Sequence, residues 1–101
     1  DLIIFDPPSF STSKENTFTV EKDFPEIIGL GLNILRDNGI LIFSTNMAKM
    51  SFSDFFRTLS KVNNFTRRKY KILDVSSQGL DFPTNCISSI EPYLKFVILC
   101  C

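Results

Sequence analysis

The chain opens on a short apolar run cut off by two prolines, and this junction constrains the fold more than any other stretch. Leu2-Ile-Ile-Phe5 is apolar at every position, the pattern of a strand buried on both faces in a parallel sheet. Asp6-Pro7-Pro8 follows directly. Proline offers no N–H to a sheet ladder and fixes its own φ, so the strand has to end there. In open α/β sheets, ligands bind beyond the carboxyl ends of the strands. A rigid acidic turn is therefore expected where chemistry is done.

The rest of the chain reads as strand, loop, helix, strand, helix, strand, strand. Asp6–Thr19 is polar and long for a strand-to-helix loop, where about 2–6 residues are usual. Glu21–Arg36 has helical spacing, with Phe24, Ile27, Ile28, Gly31, Ile34 and Leu35 on one face. Pro25 is expected in its first turn. Gly29 and Gly31 each weaken a helix by about 1 kcal/mol against Ala, which suggests close packing on the sheet. Asp37-Asn38-Gly39 stops the helix. Ile40–Ser44 is apolar on both faces and so central. Ser51-Phe-Ser-Asp54 has the form of a capped helix start, and Phe52, Phe55, Phe56 and Leu59 carry an apolar stripe to about Lys61. Asn63-Asn64 breaks it. Tyr70–Val75 and Tyr93–Cys100 read as two late strands around an irregular stretch, Ser76–Pro92. With no helix between them, they predict an antiparallel hairpin at one edge. The fold class is α/β: a mostly parallel, doubly wound sheet with an antiparallel edge hairpin and flanking helices.

Composition limits the alternatives. One hundred and one residues form one small domain at most. Eleven acids balance eleven bases, so overall charge announces no nucleic-acid partner. No apolar run reaches the roughly 18 residues a membrane span requires, and Asp1-Leu2-Ile3 lacks the basic start of a signal peptide. Cys86, Cys100 and Cys101 are odd in number, with no His and no Cys-x-x-Cys pair. This argues against a metal site and for small apolar residues in a reducing, cytoplasmic setting. Arg67-Arg68-Lys69 with Lys71, between Phe65 and Tyr70, is the densest positive patch. It reads either as a contact to RNA phosphates or as a solvated helix-to-strand connection, and the neutral overall charge favours the second.

Four blocks carry a family resemblance: Asp6-Pro-Pro-Ser-Phe-Ser-x-Ser-Lys14, Thr17-Phe-Thr-Val-Glu-Lys-Asp-Phe24, Gly39-Ile-Leu-Ile-Phe-Ser-Thr-Asn46, and Asp81-Phe-Pro83 with Glu91-Pro-Tyr-Leu-Lys-Phe96. In this order they resemble the C-terminal half of class I S-adenosylmethionine-dependent methyltransferases, in the group that includes the large-subunit (23S) ribosomal RNA methyltransferases. The resemblance implies a partial Rossmann-like methyltransferase sheet, with residues 1–101 as the C-terminal part of one domain. It further implies S-adenosylmethionine as donor and a base of ribosomal RNA as acceptor. Asp6, Pro7 and Pro8 would form the catalytic turn beside the donor methyl, with Asp6 and Pro7 also touching the cofactor. Ser9 and Phe10 would continue its wall, and Phe10 could stack on a base. Lys14 and Lys22 would sit at the pocket mouth, where Lys suits phosphate. Ser44, Thr45 and Asn46 would line the neighbouring strand end.

Two departures bear on the chemistry. Relatives that methylate carbon 5 of cytosine carry a Cys after the Phe-Ser pair of the second strand, because that reaction needs a thiolate nucleophile. Thr45 stands there instead, which counts against carbon-5 methylation of cytosine and leaves a nitrogen or oxygen acceptor, or a different substrate, open. The group's glycine-rich cofactor loop and ribose-holding acid also have no counterpart, since Gly29-Leu-Gly31 falls inside a helix pattern. The cofactor-binding half is therefore expected upstream of Asp1, and the 101 residues alone are expected not to catalyse transfer. The competing reading is a non-catalytic fragment or an RNA-binding module with an exposed first-strand edge. A methyltransferase for a small molecule or a protein is a third.

Overall fold

The computed structural model describes residues 1–8, 10–12, 17–77 and 94–101, with side chains from Lys22 onward in the first helix. The elements are β1 (Leu2–Phe5), β2 (Phe10–Thr12), β3 (Thr17–Thr19), α1 (Val20–Ile34), β4 (Ile40–Thr45), α2 (Phe52–Ser60), a 3-10 turn (Lys61–Asn64), β5 (Lys71–Ser76) and β6 (Lys95–Cys100). Four strands form one sheet in the order β1-β4-β6-β5. β1 and β4 run parallel, with Leu2 beside Ile40 and Phe5 beside Phe43. β6 runs antiparallel between β4 and β5, so the late strands form the expected edge hairpin. A register shift at Ile72/Asp74 bends that hairpin.

The two helices are held on one face of the sheet by a single core. Phe24, Ile28, Leu32 and Leu35 of α1 and Phe55 and Leu59 of α2 pack with Leu41, Phe43, Val97 and Leu99. At its centre Phe24, Phe43 and Phe55 stack, with ring centroids 5.0, 5.6 and 6.3 Å apart. Such pairs add about 0.5–1.5 kcal/mol beyond the area they bury. Ser51 caps α2 as expected, its Oγ accepting from the Asp54 N–H at 3.1 Å.

Several expectations change in detail. The loop after Pro8 contains an antiparallel ribbon, β2 paired with β3; three-residue strands are too short to declare themselves by alternation. β1 is not buried on both faces. It sits at the edge of the described sheet, and Leu2 and Ile4 are 59% and 63% exposed, because both described helices lie on the opposite face. Ile34 faces outward and Leu32 takes its place in the core. Pro25 is the sixth residue of α1, in its second turn, so the helix forgoes one backbone bond there. Gly31 packs on the sheet: a Cβ would lie 2.7 Å from Leu41 Cδ1 and from Phe5 Cε2. Gly29 serves a different neighbour, Phe65, whose Cβ would be 2.4 Å away. Among the described residues, no helix is long and apolar enough to cross a membrane.

Candidate active site

Parallel pairing of β1 and β4 brings two strand ends together. Phe5 and Phe43 are in register, so Asp6 and Ser44, the next residue on each strand, stand side by side. The Ser44 hydroxyl donates to Asp6 Oδ1 at 2.6 Å, and Asp6 remains exposed. Pro7 is half-buried and Pro8 exposed. The turn thus presents acceptors: a carboxylate oriented by a hydroxyl, and the carbonyls of two residues that have no N–H. This set of acceptors suits a ligand rich in N–H groups or positive charge.

The adjoining end of β4 is rigid. Thr45 is fully buried, and its Oγ1 accepts from the Met47 N–H at 3.4 Å. Expected to line the pocket, Thr45 instead shapes the turn that leaves Asn46 exposed. Lys95 lies opposite Thr45 on β6 and is 1% exposed. Its Nζ donates to the Met47 carbonyl at 3.1 Å and sits 5.5 Å from the centre of the Phe52 ring. A buried ammonium is expensive unless it is paired, so its placement ties β6, α2 and the turn after β4 into one unit. Sequence reasoning gave Lys95 no role. The signal was a lysine opening an otherwise apolar strand.

Lys22 lies in the first turn of α1 and is exposed. Because α1 follows β1, its first turn is at the same end of the sheet as Asp6. Ser9 and Lys14, the Phe10 side chain, Cys86 and the blocks at Asp81–Pro83 and Glu91–Tyr93 lie outside the described residues. The basic patch is far from the turn. Lys71 is in register with Cys100, Cys100 with Ile40 and Ile40 with Leu2, which puts it at the opposite end of the sheet. Five rises of roughly 3.3 Å separate the ends of β4, about 17 Å. Cys100 and Cys101 lie at that far end as well. The concavity of about 980 Å³ beside Arg67–Ile72 is there too, and so is no part of the Asp6 site.

No protein-family model matches the chain. Curated relatives do. YwbD of Bacillus subtilis, assigned as a ribosomal RNA large subunit methyltransferase, is 32% identical over 99 residues, covering 98% of this chain and 25% of its own length. Ribosomal RNA large subunit methyltransferase K/L of Legionella pneumophila is 30% identical over 100 residues, covering 97% of this chain and 13% of its own length. Among solved structures, SMU.776, described as a methyltransferase and complexed with SAH, superposes with a TM-score of 0.84 at 38% identity. That match covers all of this chain and 26% of SMU.776. The chain thus spans a quarter or less of the curated relatives named here.

Proposed function

This chain belongs to the class I S-adenosylmethionine-dependent methyltransferases, the group that includes the ribosomal RNA large subunit methyltransferases, and from that premise we propose that it forms the acceptor-facing wall of a methyl-transfer site acting on a base of ribosomal RNA in the cytoplasm. The observation that carries this reading is the Ser44–Asp6 bond across the ends of two parallel strands. Residues 1–101 are read as the C-terminal part of a single methyltransferase domain. The four glycines stand at positions 29, 31, 39 and 79, a spacing unlike a glycine-rich cofactor loop, which supports the reading that the main cofactor contacts lie outside residues 1–101.

S-adenosylmethionine supplies an electrophilic methyl group on a sulfonium sulfur. Asp6 and the Pro7 carbonyl, as acceptors, fit the positively charged side of such a donor and the N–H groups of a base. Asp6, held by Ser44, receives a hydrogen bond from the amino or ring nitrogen of the base and stabilises the positive charge that develops as the nitrogen attacks. Pro7 and Pro8 contribute fixed geometry, so catalysis comes chiefly from orientation. Ser9, Phe10, Lys14, Lys22 and Asn46 remain the proposed contacts to the base and its phosphates. Thr45, with its hydroxyl turned inward, supplies no nucleophile, and Cys100 and Cys101 are at the far end of the sheet. Cys86 lies outside the described residues, so it is Thr45 in the place of the expected Cys that supports a nitrogen or oxygen acceptor over carbon 5 of cytosine.

The test is transfer of labelled methyl from S-adenosylmethionine to large-subunit ribosomal RNA by the whole protein, wild type against Asp6→Asn. Removing a preorganised electrostatic partner from a transition state lowers kcat by about 100-fold. The Asn variant keeps the shape and can still accept from Ser44. Wild-type turnover with an unaffected Asn variant would refute the role of Asp6, and absence of any transfer to ribosomal RNA would refute the substrate.

A further inference from the structure

The segment Phe65–Ile72 is fastened to the back of α1, and three of its four cations have no side-chain partner among the described residues. Gly29 admits Phe65 against the helix. Asn33 Nδ2 donates to the Phe65 carbonyl at 3.1 Å, and Thr66 Oγ1 donates to Asn33 Oδ1 at 2.7 Å. Arg68 donates to the Leu35 carbonyl and pairs with Asp37 at 2.6 Å, closing the end of α1. Arg68 is therefore structural, neither solvated nor free to bind. Its neighbours differ. Arg67, Lys69 and Lys71 are exposed, and none of their side chains has an ion-pair or hydrogen-bond partner among the described residues.

Two adjoining concavities, about 980 and 450 Å³, meet at Asn63, Thr66 and Arg67. Among the described residues, no carboxylate lines either of them. Phe65 is 43% exposed in the smaller, and Tyr70 is half-buried in the larger. Burial pushes the Tyr70 phenol up from its ordinary value, so it stays a neutral donor across the physiological range. Unpaired cations, amide side chains and two partly exposed aromatic rings along one strip are the combination that holds single-stranded nucleic acid, with charge tracking phosphates and rings stacking bases. An acidic protein surface would use the charges but leave the rings unexplained.

We propose that the strip from Phe65 to Lys71 is a second RNA-binding surface, which holds a single-stranded segment at the end of the sheet remote from Asp6. It contacts a flanking stretch of the substrate and not the base to be modified. Its occupancy requires no cofactor.

The test is the salt dependence of binding between the whole protein and a fluorescent oligouridylate, without cofactor, for wild type and the triple variant R67A/K69A/K71A. Arg68 is retained because it holds α1, and an unchanged melting temperature verifies that the fold survives. Three lost phosphate contacts at roughly 0.7 each should reduce the log–log salt slope by about 2. Tyr70→Leu should weaken binding about tenfold without altering the slope. An unchanged slope in the triple variant overturns the proposal. Equal affinity for an oligoglutamate of matched charge, with no effect of Tyr70→Leu, overturns it in favour of an acidic protein partner. Because the strip is read by binding without cofactor and the Asp6 site by methyl transfer, failure of the one and failure of the other are separable.

Discussion

Gly29→Ala sets two effects of opposite sign against each other, and the structure decides between them. In an exposed helix the change would stabilise by about 1 kcal/mol through helix propensity. Here the new methyl would lie 2.4 Å from Phe65 Cβ, 3.0 Å from its carbonyl carbon and 3.1 Å from its carbonyl oxygen. Two of these three are backbone atoms and the other is attached directly to it, so no rotamer relieves the contact. The segment itself must move outward. Overpacking of this kind costs about 1–3 kcal/mol. The movement also strains the bonds from Asn33 to the Phe65 carbonyl and from Thr66 to Asn33, worth about 0.5–1.5 kcal/mol each where intact. The net expectation is a loss of about 2 kcal/mol, or roughly 10 °C in Tm for a domain of this size. Gly31→Ala is the internal control. Its methyl also meets neighbours at 2.7 Å, but they are the tips of the Leu41 and Phe5 side chains, which can turn aside. Its loss should be under about 1 kcal/mol. Urea unfolding of both variants measures the difference. If Gly29→Ala is as stable as wild type or more so, Phe65 does not need the close approach, and the rigid strip built on it loses its support.

Two further substitutions probe the strand ends. Ser44→Ala removes the donor to an exposed carboxylate, so unfolding free energy should fall by less than about 1 kcal/mol, while kcat for methyl transfer falls roughly tenfold as Asp6 loses its orientation; a kcat matching wild type would separate Asp6 from Ser44. Lys95→Met keeps the apolar stem but removes the charged donor to the Met47 carbonyl, which among the described residues keeps only the Met50 N–H at 3.3 Å; losing a hydrogen bond from a charged group should cost about 1.5–3 kcal/mol in urea unfolding. A gain in stability would mean that desolvating the ammonium outweighs its contacts, as happens for some buried ion pairs.

What the sequence disclosed and what it withheld follow from the range of the interactions. Strand ends are marked by local chemistry: two prolines after Phe5, and an Asp-Asn-Gly turn in which Asn38 adopts a φ of 63°. The edge hairpin was legible because no helical period separates the last two apolar runs. The pairing of Asp6 with Ser44 spans 38 residues and follows only once β1 and β4 are known to be parallel neighbours in a fixed register. Lys95 was illegible for the same reason. Its partners, the Met47 carbonyl and the Phe52 ring, lie more than forty residues away on two other elements, and a lysine at a strand start ordinarily reads as a solvated edge. The basic patch shows how a run of like residues divides. Arg67, Arg68, Lys69 and Lys71 look alike in the sequence, yet only Arg68 faces the frayed carbonyls at the end of α1 and meets Asp37. Helix ends attract cations through their unsatisfied carbonyls, so one arginine is drawn into the fold and the other three charges are left to face solvent or a partner. Charge counting treats the four as one patch. Position relative to a helix terminus separates the structural cation from those free to bind.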